Sequence, residues 1–296
     1  MKRRFACLAC VAVMMGLLMA VYTRAEDKAG KSQGSIFEKQ KLVAWCIVPF
    51  DSKMRGPAAR AEMLVKLGIK RVAYDWRAKD IPTFEEEILQ YKKHDLEYFA
   101  FWDWHDSMTP LIKKHGIKPQ VWIIARSPAE GTQQEKIAAS AQSIMHLVET
   151  TKELGLKLGI YNHGGWSGEP ENMVAVCKYL REKHDADHVG LVYNFHHGHE
   201  HIDRFANALK TMKPYLHCLN LNGMNAGAQP KILPIGDGKF ETRMIKTVQS
   251  SGYTGPIGIL DHRSDTDTEI ALQANLKGMK KVLAEIGDQR ALKSYE

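Results

Sequence analysis

Short apolar runs and helix-spaced segments alternate eight times between Leu42 and Ile286, and this alternation constrains the fold more than any other feature. The runs fall at residues 42–49, 71–76, 98–102, 119–125, 157–161, 189–195, 216–221 and 256–260. They are too brief for helices and rich in β-branched and aromatic residues, so each predicts a strand. Helical spacing follows each run, over residues 57–67, 83–94, 107–115, 132–154, 171–184, 202–212, 240–250 and 268–286. The ends read as helix ends: Pro57 near the start of the first, Gly68, Gly116 and Gly155 as stops, and Thr83 as an N-cap before Glu85, Glu86 and Glu87. Short connections between alternating strands and helices argue for a parallel sheet, and eight is the count that closes a barrel. The prediction is an α/β chain folded as one single-domain (β/α)8 TIM barrel over residues 41–288, with a tail at 289–296. The competing architecture is an open doubly wound sheet, but no Gly-rich phosphate turn follows the first strand.

The N-terminus carries an address. Lys2, Arg3 and Arg4 precede an apolar run from Phe5 to Val21, and Thr23-Arg24-Ala25 offers small residues where a signal peptidase cuts. Residues 1–25 are expected to be a signal peptide, with an uncleaved anchor as the alternative, and 26–40 a flexible leader. The mature protein is then secreted or periplasmic, with no stable membrane insertion after cleavage. Removing Lys2, Arg3, Arg4 and Arg24 leaves 37 basic against 34 acidic residues, a net +3 rather than +7. That near balance gives no electrostatic reason for a nucleic-acid partner. Cys46 and Cys218 lie in strand-like runs and read as buried thiols rather than a disulfide framework.

Polar and aromatic residues gather where the strands end. Tyr74-Asp75-Trp76 ends the second, Trp102-Asp103-Trp104-His105 the third, Arg126 the fourth, and Asn162-His163 the fifth. Asn194 with His196-His197 ends the sixth, Asn220 and Asn222 the seventh, and Asp261-His262-Arg263 the eighth; the first offers Trp45 and Asp51. Catalytic groups of a barrel come from several strand ends on one face, which is the distribution found here. Strand alternation places Val192, Asn194 and His196 on one face, opposite Leu191, Tyr193 and Phe195. Polar groups need partners, so Asn194, His196, Asn220 and Asn222 should point inward, and His217 reads as a hydrogen-bonded structural histidine. His199 and His201 are either a solvated helix start or part of the site. The Gly-rich loop 164–171 holds Trp166 and Glu169 and suits a lid, or else a turn before an acid-rich helix start. Trp45, Trp102 and Trp166 are aromatic faces for a sugar ring, or core packing.

With YNHGG and GEPEN at the fifth strand, YNFHHGHEHIDRF at the sixth, LNLNGM and ILPIGDGKF at the seventh, and SGYTGPIGILDH into the eighth, the chain resembles the xylose isomerase-like TIM-barrel superfamily. That superfamily includes sugar-phosphate isomerases and epimerases, inosose dehydratases and type-2 AP endonucleases. The resemblance implies a divalent metal held by a Glu, an Asp, a His and a Glu on strands five to eight, the two Glu residues also moving the proton. This sequence departs from that pattern. Asn162 or His163 stands at the first position, Asn194 at the second, Asn220 or His217 at the third, and Asp261 or His262 at the fourth. His197, three residues beyond Asn194, is retained.

Losing carboxylates weakens a site for hard cations; a His-rich remainder suits Mn²⁺, Zn²⁺ or Co²⁺ held by His196, His197, His262 and Asp261, or no metal. His163, His197 and His262 are then the candidate proton-transfer groups, with Glu169 as a carboxylate partner. Asn162, Asn194, Asn220, Asn222, Asp75, Trp45, Trp102 and Trp166 are the candidate substrate contacts. The expected activity is that of a sugar isomerase, epimerase or lyase abstracting a proton beside the carbonyl of a sugar or keto-sugar. The alternative is a barrel that binds carbohydrate without turnover. A nuclease would need a multi-metal cluster and a basic groove, and a glycosidase two opposed carboxylates, for which Asp75, Asp103 and Asp261 are available.

Overall fold

Eight strands pair in parallel and in chain order, and the last closes on the first. They are β1 (Leu42–Trp45), β2 (Arg71–Asp75), β3 (Glu97–Trp102), β4 (Gln120–Ile123), β5 (Leu158–Tyr161), β6 (Val189–Asn194), β7 (Leu216–Leu221) and β8 (Ile257–Leu260). Closure is made by Leu42↔Ile257 through Trp45↔Leu260, so no sheet edge is left unpaired. The structure, a computed structural model, describes residues 34–296. The expected signal peptide 1–25 and the first part of the leader lie outside the described residues. Ile36–Glu296 forms one compact unit, a (β/α)8 TIM barrel.

The helices are α1 (Pro57–Leu67), α2 (Phe84–Lys93), α3 (Met108–His115), α4 (Gln133–Gln142), α5 (Met145–Leu154), α6 (Gly165–Gly168), α7 (Pro170–His184), α8 (Phe205–Met212), α9 (Glu241–Ser250), α10 (Thr268–Ile286) and α11 (Gln289–Lys293). Gly68 and Gly155 end α1 and α5 in the left-handed conformation, with φ of 71° and 65°. The single helix expected over 132–154 is two. Ser143 between them turns its hydroxyl to serve the chain, donating to Ser140 O (2.6 Å) and accepting from Arg126 N (3.2 Å). The expected leader is packed from its last residues onward. Phe37 is fully buried, its carbonyl accepts from Tyr295 Oη (2.9 Å), and Lys39 N donates to Ser294 Oγ (2.8 Å).

Alternation along the strands sorts side chains into two layers as expected. Leu191, Tyr193, Leu219 and Leu221 join the layer between sheet and helices, while Val43, Trp45, Trp122, Tyr161, Val192, Cys218 and Leu260 fill the barrel. The interior is an aromatic plug: Trp45 meets Trp122 edge-on at 5.0 Å and Trp102 at 5.6 Å, and Trp102 meets Tyr161 at 4.5 Å. Such pairs add about 0.5–1.5 kcal/mol each beyond their buried area. Gly159 makes room for the plug, since a Cβ there would stand 2.6 Å from Val192 and 3.1 Å from Trp122. Cys46, Cys177 and Cys218 are buried free thiols. No helix among the described residues is long and apolar enough to cross a membrane.

Candidate active site

The plug stops short of the C-terminal rim, and above it lies a cavity of about 150 Å³. Trp45, Trp102 and Tyr161 form its apolar wall, and Asp75, Arg77, His163, His196, His197 and His262 bring the polar groups. Each arrives at a strand end: Asp75 closes β2, His163 stands two residues past β5, His196 and His197 follow β6 in a short 3-10 turn, and His262 stands two past β8. Three of the four residues expected to move protons therefore meet in one small space, with His196 as a fourth imidazole.

The four rings lie against one another. Ring centroids are 3.7 Å apart for His196 and His197, 4.4 Å for His163 and His197, and 5.3 Å for His196 and His262. Phe50 covers the outer face of His262 at 3.8 Å. Crowded and desolvated, the imidazoles resist protonation. Burial, then the neighbouring His163 and Lys231, pushes His197 down to about 3. His196 is lowered well below its usual value, by burial and then by His197 and His262. Burial also lowers His163 and His262, with Lys231 acting on both. All four are neutral at neutral pH.

Asp75 is shifted the other way. It is 1% exposed, and burial raises its carboxyl to about 7 against the opposing pull of Arg77 and the Val48 backbone N–H. Its Oδ1 accepts from Val48 N at 3.3 Å, while Oδ2 has no protein partner, and neither has His196 Nδ1. A buried carboxyl holding a proton near pH 7 beside neutral imidazoles is the pairing that lets one group give a proton while another takes one.

Several expected contacts are placed elsewhere. The asparagines are fully buried and outside the cavity wall. Asn162 extends the β5–β6 pairing beyond its last residues, donating to Asn194 O (3.0 Å) and accepting from Asn194 N (2.6 Å). Asn222 donates to Gly223 O (2.8 Å) and Lys231 O (3.1 Å). Asn194 and Asn220 do point inward as register partners, and a Cβ on Gly258 would collide with the Asn220 amide. Glu169 is turned away from the cavity: it pairs with Arg204, and His201 Nε2 lies 3.4 Å from it. Trp166 packs towards α4 with its Nε1 donating to Gln133 Oε1 (3.2 Å), so it is no platform for the cavity. His201 and His199 are buried rather than solvated. His201 Nδ1 bonds Tyr193 Oη (2.8 Å), and His199 faces the carbonyls of Asn225 (2.7 Å) and Lys231 (3.1 Å). His217 is hydrogen-bonded to His188 O (3.0 Å), the structural role expected of it.

The divalent metal implied by the resemblance fits this arrangement poorly. Among the described residues no three His, Cys, Asp or Glu side chains converge to hold an ion. Asp261 is buried with its Oδ1 towards Arg263 Nε (3.2 Å), and it does not line the cavity that His196, His197 and His262 share. The opposed carboxylates of a glycosidase are not assembled either, since Asp75 alone of Asp75, Asp103 and Asp261 lines the cavity.

Two features escaped sequence reasoning. Arg77 and Tyr161 line the cavity; Tyr161 could have been found from its alternation with the inward Gly159. Glu241, a fully buried carboxylate, organises the loop after β7 by accepting from Met224 N (2.9 Å), Gly236 N (3.0 Å) and Gly238 N (2.7 Å). The PIGDG turn exists to wrap that carboxylate.

A family model described as a xylose isomerase-like TIM barrel matches residues 99–282. No curated protein sequence matches the chain. Among solved structures, it is similar to an IolI protein with a bound zinc atom at TM-score 0.63 and 14% identity, covering 83% of this chain and 99% of that one. An L-ribulose 3-epimerase matches at TM-score 0.60 and 13% identity, covering 86% and 95%. The 3-keto-D-glucoside 4-epimerase of E. coli matches at TM-score 0.58 and 13% identity, covering 84% and 100%.

Proposed function

Because the chain belongs to the xylose isomerase-like TIM-barrel family, we propose that it is an enzyme moving a proton on the carbon beside the carbonyl of a small sugar or keto-sugar. One observation carries this reading: Asp75, raised to about 7, and four neutral imidazoles line the same cavity of about 150 Å³. A ligand small enough to enter touches both sets at once. His163 and His262, the less perturbed imidazoles, are the candidate bases that take the carbon-bound proton. Asp75 in its protonated form hydrogen-bonds the carbonyl oxygen and hands over its proton as the enediol forms. His196 and His197 are too weakly basic for that exchange and serve as neutral N–H donors to the developing oxyanion. Returning the proton to the neighbouring carbon gives an isomerase, returning it to the opposite face of the same carbon an epimerase, and expelling a β-substituent a lyase.

Washing deuterium from D2O into candidate keto-sugars, followed by NMR, tests the reading without knowledge of the product. Exchange in the wild type should fall about 10²–10⁴-fold in Asp75→Asn and in His163→Ala. Exchange unaffected by both changes sinks the assignment. The second reading, a barrel that binds a sugar without turnover, is favoured by one observation: Glu169, the lid carboxylate, is engaged by Arg204 instead of facing the cavity. Saturable binding with no exchange in any sugar tested supports it. Export, proposed from the N-terminal sequence, is checked by the first residue of the mature protein, expected to be Glu26.

A further inference from the structure

The charges around the cavity are one-sided. Arg77 lines the wall, its guanidinium 5.5 Å from the Phe50 ring that covers His262. Its Nη1 donates to Trp76 O (2.7 Å); among the described residues no carboxylate forms an ion pair with its guanidinium, although Asp80 accepts from its backbone N (2.9 Å) and Asp75 on the same wall feels its charge. Lys231 belongs to the loop after β7; its exposed side chain is not part of the cavity wall, but its charge lowers His163, His196, His197 and His262 alike. Its backbone is clamped, because the Lys231 carbonyl takes hydrogen bonds from both His199 Nε2 (3.1 Å) and Asn222 Nδ2 (3.1 Å). The next residue, Ile232, packs against the barrel plug, and Glu241 fixes the same loop from below. Lys231 likewise has no ion-pair partner among the described residues.

The imidazoles beside them are neutral, and the single carboxyl on the wall, Asp75, is buried and raised to about 7. A concave space with a positive charge on its wall, a second at its rim and a single carboxyl whose ionisation burial suppresses has a field that favours negative ligands. The size of the space limits the ligand to about one sugar ring, and no glycine-rich turn lines it to cradle a phosphate. We propose that the substrate is a sugar acid, its carboxylate held between Arg77 and Lys231 while the carbonyl end meets Asp75 and the histidines. The loop contacts of His199 and Asn222 then position Lys231 and set specificity.

This inference rests on the cavity being the sugar site. Titration calorimetry at low ionic strength with glucuronate, glucose and glucose 6-phosphate tests it. Glucuronate should bind at least about tenfold more tightly than glucose, and that ratio should shrink as salt rises. In Lys231→Met and Arg77→Met the ratio should collapse towards one, while Lys231→Arg should restore most of it. Equal affinity for glucose and glucuronate, or a ratio unmoved in both Met variants, overturns the proposal. Preference for the phosphate over glucuronate overturns the carboxylate and puts a phosphorylated sugar in its place. Deuterium exchange into neutral keto-sugars alone leaves the proposed function standing and removes this inference. Failure of all three ligands to bind removes this inference, and removes the proposed function too only if no keto-sugar exchanges deuterium.

Discussion

Two buried clusters of ionisable groups lie on either side of β2, and they are built on opposite principles. In the layer outside the sheet, Arg60 of α1 meets Glu87 of α2 at 2.5 Å, and a second guanidinium nitrogen donates to Arg55 O (2.5 Å). Each charge there has its opposite, and Glu87 raises the Arg60 guanidinium against the pull of burial. At the rim, one strand end away, four imidazoles crowd together and Asp75 has no counter-charge in contact. There the groups escape the burden of burial by giving up their charge. A paired cluster holds the fold, whereas a set of neutralised groups keeps its protons available for exchange.

Breaking the paired cluster should have the largest effect on stability. Glu87→Ala leaves the 4%-exposed Arg60 without its partner, and such a loss costs about 3–5 kcal/mol. Urea denaturation should show the drop, while Arg60→Met combined with Glu87→Leu should recover most of it. If the single change is as mild as the double, the pair does not anchor the fold.

The rim cluster should respond with the opposite sign. Asp75 is raised in the folded state from 3.8 to about 7, so the stability it contributes is complete below pH 3.8 and lost as pH climbs through 7. Asp261, raised to about 6, behaves likewise. Asp75→Asn cannot ionise, and its Oδ1 still accepts from Val48 N. The difference in melting temperature, variant minus wild type, should therefore grow from near zero at pH 4 to several degrees at pH 8. His197, lowered from 6.5 to about 3, works in the other direction: its contribution is present above pH 6.5 and lost as pH falls through 3. Removing Asp75 should thus leave a stability profile tilted towards higher pH. A variant less stable than wild type at pH 8 contradicts the raised carboxyl.

The difference between the clusters also separates what the sequence could reveal from what it could not. Period-two alternation is a property of the strand itself, so residue order alone assigns Asn194 and Leu191 to opposite faces. The order of the eight strands followed from the short apolar runs, although β1 stops at Trp45 and β4 at Ile123, short of the runs that announce them, and the meeting of His163, His197 and His262 followed from their places at strand ends. The use of an amide is not periodic. Asn162 offers an amide donor and an acceptor whether it faces a sugar or the backbone of the next strand, and only the position of Asn194 decides between them. Glu169 beside Gly-rich residues looks free in the sequence, because Arg204, its partner, lies far along the chain. Arg77 stands just beyond β2, where alternation no longer fixes a direction. Ser143 reads as an ordinary helix residue until Arg126 is placed beside it.

The smallest expected effect concerns metal. A divalent ion would bring the rim closer to the first cluster, since it supplies the counter-charge that four imidazoles lack. Holding it requires nitrogen lone pairs that converge, but His196 and His197 lie with ring centroids 3.7 Å apart and 45° between planes, so the rings pack on each other. The carboxylates nearby stand off the cavity wall: Glu169 pairs with Arg204, and Asp261 keeps Oδ1 near Arg263 while its Oδ2 is buried without a partner. Dialysis against a chelator should therefore leave the melting temperature and the affinity for glucuronate within error of the untreated protein. Elemental analysis of the mature protein should find less than one equivalent of any transition metal. One full equivalent, lost in His197→Ala together with ligand affinity, requires the imidazoles to turn from their mutual packing towards a common centre. Asp75 would then act beside a cation rather than beside neutral rings, its carboxyl would fall from about 7, and the two clusters would differ only in what supplies the opposite charge.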